Sequence, residues 1–201
     1  MIRRTAVLVL LGALVLTSCG EALEGSGDVV TEDRTVAGFD TVHANNGVRV
    51  FLTIDPAATG DVVLAVTTDS NLQEFLTTEV SGSKLTVSSD RMGGTTPTGP
   101  FDVSATVSAL KDVSVDNGAQ VEIAGSVDTV SLSANNGAYL VGDVLETVTV
   151  TIDVDNGAQV SVCATGAVSG EVTNGARLTV RCGGSVEGVE TSDGGTVSPA
   201  S

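Results

Sequence analysis

The side chains of this chain best suited to chemistry are few: one histidine, three cysteines, and aspartates gathered around a recurring Asn-Gly step. Asp116, Asp153, Asp155 and Asp193 crowd that step in the C-terminal half. Two carboxyl groups roughly 5–9 Å apart can cleave a glycosidic bond, one as acid and the other as base or nucleophile. Acids and Asn carbonyls together can hold Ca²⁺ weakly. Against both stands the plainer reading of solvated acids that cap turns. Asp116 and Asp155 share the position before Asn, but Asn135 and Thr173 hold it in the other copies, so the two acids fall two repeats apart. The chain also lacks the Gly-Gly-x-Gly-x-Asp nonapeptide of calcium-stacked rolls. His43 lies beside Asn45-Asn46 without a nucleophile pattern, which suits a surface or packing role. There is no Gly-x-Ser-x-Gly elbow, Walker loop or His-Glu-x-x-His. Cys163 and Cys182 without a nearby His make half a zinc site at best. Sugar platforms favour exposed aromatics, and the repeats offer only Tyr139, expected to point outward between Ala138 and Leu140. The chemistry points away from an enzyme, a metal site and a cofactor.

The elements that must position these residues come from the repeat itself. Val113–Val121 reads apolar, x-Asn-Gly-Ala-x, apolar, and versions recur at Leu132–Leu140, Ile152–Val160, Gly170–Leu178 and, degenerately, Val189–Val197. The corner pairs are Asn117-Gly118, Asn136-Gly137, Asn156-Gly157 and Asn174-Gly175, with Asp193 in place of a fifth Asn. The steps from each corner to the next, 19, 20, 18 and 19, are nearly constant. The earlier Asn46-Gly47 stands well over three such steps ahead of Asn117 and falls outside this regular spacing.

Two architectures compete. Asn-Gly between alternating apolar residues is a hairpin signal. A two-residue loop at Asn117-Gly118 would set Val115 against Gln120 and mix the faces. A three-residue loop, with Gly in the left-handed region, pairs Val113 with Val121 and survives as a meander. The alternative is a solenoid with one coil per repeat. Val115, Ala134, Val154 and Val172 then stack inward in one column, and Val121, Leu140, Val160 and Leu178 in another. Asn tolerates left-handed backbone at the corner and can bond the coils above and below; Gly follows because the corner needs positive φ. A meander has no reason to keep both residue identity and phase, so the constant period favours the solenoid.

In a solenoid Cys163 and Cys182, one repeat apart, sit on adjacent coils at about 4.8 Å, within the Cα range of a disulfide. Their offsets from the preceding Asn are 7 and 8, so a local register shift is required. A disulfide is expected, with two buried thiols as the alternative. The active surface is expected on the variable positions after each corner: Gln120, Tyr139, Gln159 and Arg177.

Composition and the N-terminus set the wider frame. The formal charge of −16 becomes two more negative once Arg3 and Arg4 leave with a signal, which excludes nucleic acid as a partner. Aromatic residues are 2% of the chain, so the core is built from Val, Leu, Ile and Ala, and abundant Val and Thr read as all-β. Arg3-Arg4 and the apolar run Ala6–Leu16 have the layout of a secretory signal over residues 1–18. It ends in Leu16-Thr17-Ser18-Cys19, which resembles the lipobox of bacterial lipoproteins. The resemblance implies diacylglyceryl transfer to Cys19, cleavage before it and acylation of the new N-terminus, palmitate included. Residues 19–28 read as lipidated Cys and tether, and residues 29–201 as a single domain. Asp69 as N-cap, followed by Leu72, Phe75 and Leu76, marks one short helix in the N-terminal half. Arg91–Pro100 is a breaker-rich loop.

The body from about Arg34 to Val197 resembles the bacterial head GIN domain family, an autotransporter-adhesin head. The matching elements are Arg34-x-Val36-x-Gly38-Phe39-Asp40-x-Val42, Gly47-Val48-Arg49-Val50, Asn71-Leu72 and the recurring small-Gly-Ala corners. Family members carry Ser-Gly-Ala-Gly at the corners, where this chain has Asn-Gly-Ala-Gln, Asn-Gly-Ala-Tyr and Asn-Gly-Ala-Arg. The resemblance implies a right-handed parallel β-helix, in agreement with a solenoid whose coils are about 19 residues long. The expected protein is exported, attached to a bacterial membrane through lipid on Cys19, and displays a non-catalytic adhesin-like domain on the periplasmic or cell-surface side. Its partner is an unnamed envelope or extracellular molecule. The alternatives are a β-helix protein that binds or cleaves envelope polysaccharide, and a plain spacer.

Overall fold

Alternating Val and Thr with Asn-Gly punctuation build strands that turn at every Asn-Gly step, and the pairing of those strands decides between the two architectures. The computed structural model describes residues 23–89 and 95–199; the signal segment, Cys19 and the first tether residues lie outside them. Successive repeats pair in parallel, never as hairpins. Asp112–Val115 pairs with Ser131–Ala134, which pairs with Thr151–Val154, then Val168–Val172, then the strand Ser185–Thr191. Beyond the corners a second parallel ladder runs alongside: Arg49–Thr53, Gln120–Ala124, Tyr139–Gly142, Gln159–Val162, Arg177–Val180 and Thr196–Pro199. The meander is thereby excluded.

Both expected inward columns form. Val115, Ala134, Val154 and Val172 are buried in register, as are Val121, Leu140, Val160 and Leu178. Ala119, Ala138, Ala158 and Ala176 are buried at the inside of each corner. One continuous apolar cluster results, from Phe39 to Val180.

The corners are built alike. Asn117, Asn136, Asn156 and Asn174 have φ of 48–52°, and Asp193 repeats this at 48°. The residue after Gly closes each turn back onto the residue before Asn, as in Ala158 N–H to Asp155 C=O at 3.1 Å. From Gly47 to Gly175, each corner Gly N–H reaches the carbonyl of the left-handed residue of the next corner, Gly118 to Asn136, Gly157 to Asn174 and Gly175 to Asp193 among them, so the ladder passes unbroken around the bend. Side-chain amides add a second set: Asn117 donates to Asn45, Asn136 to Asn117, Asn156 to Asn135 and Asn174 to Asp155.

Three sequence expectations are corrected. Asn46-Gly47 belongs to the stack: Gly47 N–H bonds the Asn117 carbonyl, and Thr41–Asn45 pairs with Asp112–Val115. The intervening residues break the regular period, yet Lys84–Ser89 and Asp102–Val107 stack in parallel on Thr41–Asn45 and Arg49–Ile54. They add Val62–Asp69, which pairs antiparallel with Val29–Val36 and Asp102–Val107, and the antiparallel pair Leu76–Ser81 with Lys84–Ser89. The main sheet of 15 strands is therefore mixed, not uniformly parallel. The short helix is a 3₁₀ segment, Ser70–Phe75, and Asp69 makes no capping bond to it. The Asp69 carboxylate instead accepts bonds from the N–H groups of Gly27, Thr98 and Gly99 and the Thr98 hydroxyl. These donors hold its pKa below the usual carboxylate value, the Gly99 bond most of all. They also dock a segment of the tether, since Leu23–Glu24 pairs with Thr95–Thr96 and Asn71 bonds Glu24 and Ser26.

Unequal coil lengths are absorbed locally. The register between Gln120–Ala134 and Tyr139–Val154 slips by one residue between Glu122 and Ala124. The extra residue of the longer coil emerges near Val144, which is left 69% exposed. The shift that the cysteine offsets require also appears: Cys163 is level with Arg181, and left-handed backbone at Cys182 (φ 66°) carries the next residue back toward it. The two cysteines are joined in a disulfide with Cα atoms 5.1 Å apart.

Candidate functional site

Alternation along the second ladder sends every other side chain outward from the core, and parallel register lines these up across strands. One outward column reads Asp102, Arg49, Gln120, Tyr139, Gln159, Arg177, Thr196; the next reads Ser104, Phe51, Glu122, Val141, Ser161, Thr179, Ser198. The four variable positions singled out in the sequence thus become consecutive neighbours, one strand spacing apart.

The wall is not uniform. Toward its N-terminal end Arg49 is neutralised by a two-bond contact with Asp102, at 2.8 Å each, and lies 5.8 Å over the Phe51 ring. Near the bulge, Asp143 receives Arg181 at 3.0 Å and the Ser161 hydroxyl. Between these satisfied groups, the side chains of Gln120, Tyr139, Gln159 and Arg177 are exposed and have no hydrogen-bond or ionic partner among the described residues. Tyr139 is 43% and Val141 38% exposed. A shallow groove of about 130 Å³ runs between Tyr139, Val141, Gln159, Ser161, Arg177 and Thr179. The arrangement offers a ring, two amides and a guanidinium to something outside the molecule. It holds no acid–base pair.

The residues weighed for catalysis are occupied otherwise. Asp155 accepts from Thr173 Oγ1 at 2.7 Å, Asn174 Nδ2 at 2.6 Å and Asn156 Nδ2 at 2.9 Å, and its pKa is held down by the Thr173 bond first, then the Asn174 bond and the Asn156 backbone N–H. A carboxylate so engaged fastens a corner. Asp116 lies two strands away, with Asn135 between. Asp193 takes the left-handed corner position itself. Asp153 faces outward on the other wall, level with Glu171 and then Glu190, a column legible only after the unequal coil lengths are known. No group of three or more His, Cys, Asp or Glu placed to hold a metal occurs among the described residues.

His43 meets Ser114 Oγ at 2.8 Å and Asp116 at 3.7 Å, a Ser-His-Asp set that the sequence does not announce. Both contacts use Nδ1. A relay needs the acid on one ring nitrogen and the hydroxyl on the other, so this trio cannot activate Ser114. Its adjacency follows from stacking, since His43 and Ser114 are register partners.

No family model matches the chain, and no curated protein matches it. Among solved structures it is similar to a "putative adhesin" of Bacteroides fragilis, with 13% identity over 89% of this chain and 100% of that one and a TM-score of 0.51. It is also similar to a "putative adhesin" of Parabacteroides merdae, at 13% identity over 89% and 99% of the chains and a TM-score of 0.41. A "putative lipid binding protein" of Parabacteroides distasonis gives 14%, 89%, 99% and 0.41. What the chain shares with the B. fragilis protein is its fold.

Proposed function

We propose that this chain is a non-catalytic, adhesin-like protein of the bacterial envelope. On this reading it is a head GIN-type right-handed parallel β-helix, held to a membrane by lipid on Cys19, that meets its partner through the Gln120–Tyr139–Gln159–Arg177 wall. The observation that carries it is the contrast on that wall. Arg49 is paired with Asp102, and Arg181 and Ser161 with Asp143, while the four adjacent side chains Gln120, Tyr139, Gln159 and Arg177 are paired with nothing among the described residues. Groups that served only solubility would have no reason to share one wall with an exposed tyrosine and valine. The lipobox motif supports the anchor, and the "putative adhesin" fold relatives support the role. Cleavage of polysaccharide is disfavoured because Asp155 is saturated with donors and Asp116 stands two strands from it.

The test is adherence of the surface-displayed protein, wild type against Tyr139→Ala with Gln159→Ala. Both side chains are exposed, so circular dichroism and melting should be unchanged while adherence falls about tenfold or more, as for a central aromatic anchor. Unchanged adherence refutes the assignment of this wall. Saturable cleavage of any polysaccharide refutes the non-catalytic role.

A further inference from the structure

We infer that the occupant of this wall is a carboxylate-bearing sugar of an acidic polysaccharide, with Arg177 taking the carboxylate, Tyr139 the ring face and Gln159 the hydroxyls; this rests on the wall assignment above. Four arginines fall among the described residues. Arg34 is tied to backbone carbonyls and side chains, Arg49 to Asp102 and Arg181 to Asp143. Arg177 alone has no partner there, and it borders the groove with Tyr139 and Gln159. In a chain of formal charge −16, a guanidinium left unpaired at the rim of a groove is complementary to an anion. Its planar fork matches a carboxylate with two parallel bonds.

On the two outward columns the charges permit an anion at that point. Asp102 and Asp143 are neutralised by their arginines. The nearest free acid on the two outward columns, Glu122, is level with Val141 and so lies three strands from Arg177 along the ladder. At about 4.8 Å per strand that is roughly 14 Å, beyond a screening length of about 8–10 Å at physiological salt. The other groups favour a sugar over a peptide. The strand segments Tyr139–Gly142, Gln159–Val162 and Arg177–Val180 are paired on both sides, so a peptide cannot add as a strand there. A pyranose needs only an apolar face for the ring and donors and acceptors at its edge, which Tyr139, Val141, Gln159, Ser161 and Thr179 provide.

The test uses the full chain in detergent micelles, titrated with polygalacturonate, neutral dextran and poly-glutamate in EDTA, so that no metal bridges acid to acid. Saturable binding of polygalacturonate is expected, with dextran and poly-glutamate weaker. Arg177→Gln should weaken it by about tenfold to a hundredfold, the loss of a charged hydrogen-bonding partner, with Arg177→Lys only partly restoring it and Tyr139→Ala weakening it too. Equal binding of poly-glutamate would mean that charge alone is read and overturns the sugar; equal binding of dextran, or no effect of Arg177→Gln, overturns the carboxylate. No binding of any polymer also overturns this inference. The wall assignment is judged separately, by whether adherence of the displayed protein falls in the Tyr139→Ala, Gln159→Ala variant.

Discussion

Two glycines of the stack offer a direct test of how closely its coils approach. Gly157 and Gly170 both have positive φ, 71° and 127°. A Cβ added at Gly157 would meet nothing within 4 Å, because the corner faces solvent. One added at Gly170 would overlap the carbonyl oxygen of Ile152 and lie 2.9 Å and 3.0 Å from its carbonyl carbon and nitrogen. Ile152 is the register partner of Gly170 on the neighbouring strand, so the obstacle is backbone and cannot rotate away. Gly157→Ala should therefore cost only the left-handed penalty of an L-residue, about 1–2 kcal/mol. Gly170→Ala adds overpacking of about 1–3 kcal/mol to strained backbone of about 1–3 kcal/mol, together about 2–6 kcal/mol, and must push the paired strands away from each other. Equilibrium urea unfolding at matched m-values measures both. Equal costs, or a Gly170→Ala protein as stable as wild type, would refute the parallel stacking of Val168–Val172 on Thr151–Val154.

The remaining predictions concern the fastenings of the molecule. Replacing Cys163 and Cys182 by Ser should cost about 3 kcal/mol, given a sequence separation of 19; free thiols at both positions in non-reduced peptide maps would refute the pairing. The Asp69 carboxylate has a lowered pKa in the folded state, so its stabilisation is complete above the unfolded value near 3.8 and is lost as pH falls through the folded one. Asp69→Asn should therefore flatten the acid limb of the melting profile and speed amide exchange at Gly27 and Gly99, and an unchanged profile counts against the clasp. Cys19→Ala should release the protein from membranes; a variant that stays membrane-bound and palmitate-labelled refutes the lipobox assignment.

The candidate site was half legible. Gln120, Tyr139, Gln159 and Arg177 follow from their position three residues after each corner Asn, because stacked corners carry equal offsets into one column. Val141 and Ser161, two residues further on, follow by strand alternation once the ladder is known. The pairing of Arg49 with Asp102, 53 residues away, does not follow, since Asp102 lies in the excursion whose path no period describes.

The amino-acid sequence by itself determined the repeating portion: strand content, the inward columns and the left-handed corners, all of which depend on local backbone preference and on a period short enough to count. Tertiary structure alone decided what interrupts that period. Asn46-Gly47 joins the stack despite the long excursion that separates it from Asn117, because its exposed N–H groups and carbonyls find the Asp112–Val115 edge that the returning chain lays beside them. Asp69 becomes a clasp rather than a cap because Gly27, Thr98 and Gly99, distant in sequence, bring their N–H groups to one carboxylate. That Arg177 has no partner among the described residues is likewise a tertiary fact: which acids stand beside an arginine is decided by the packing of strands distant in sequence.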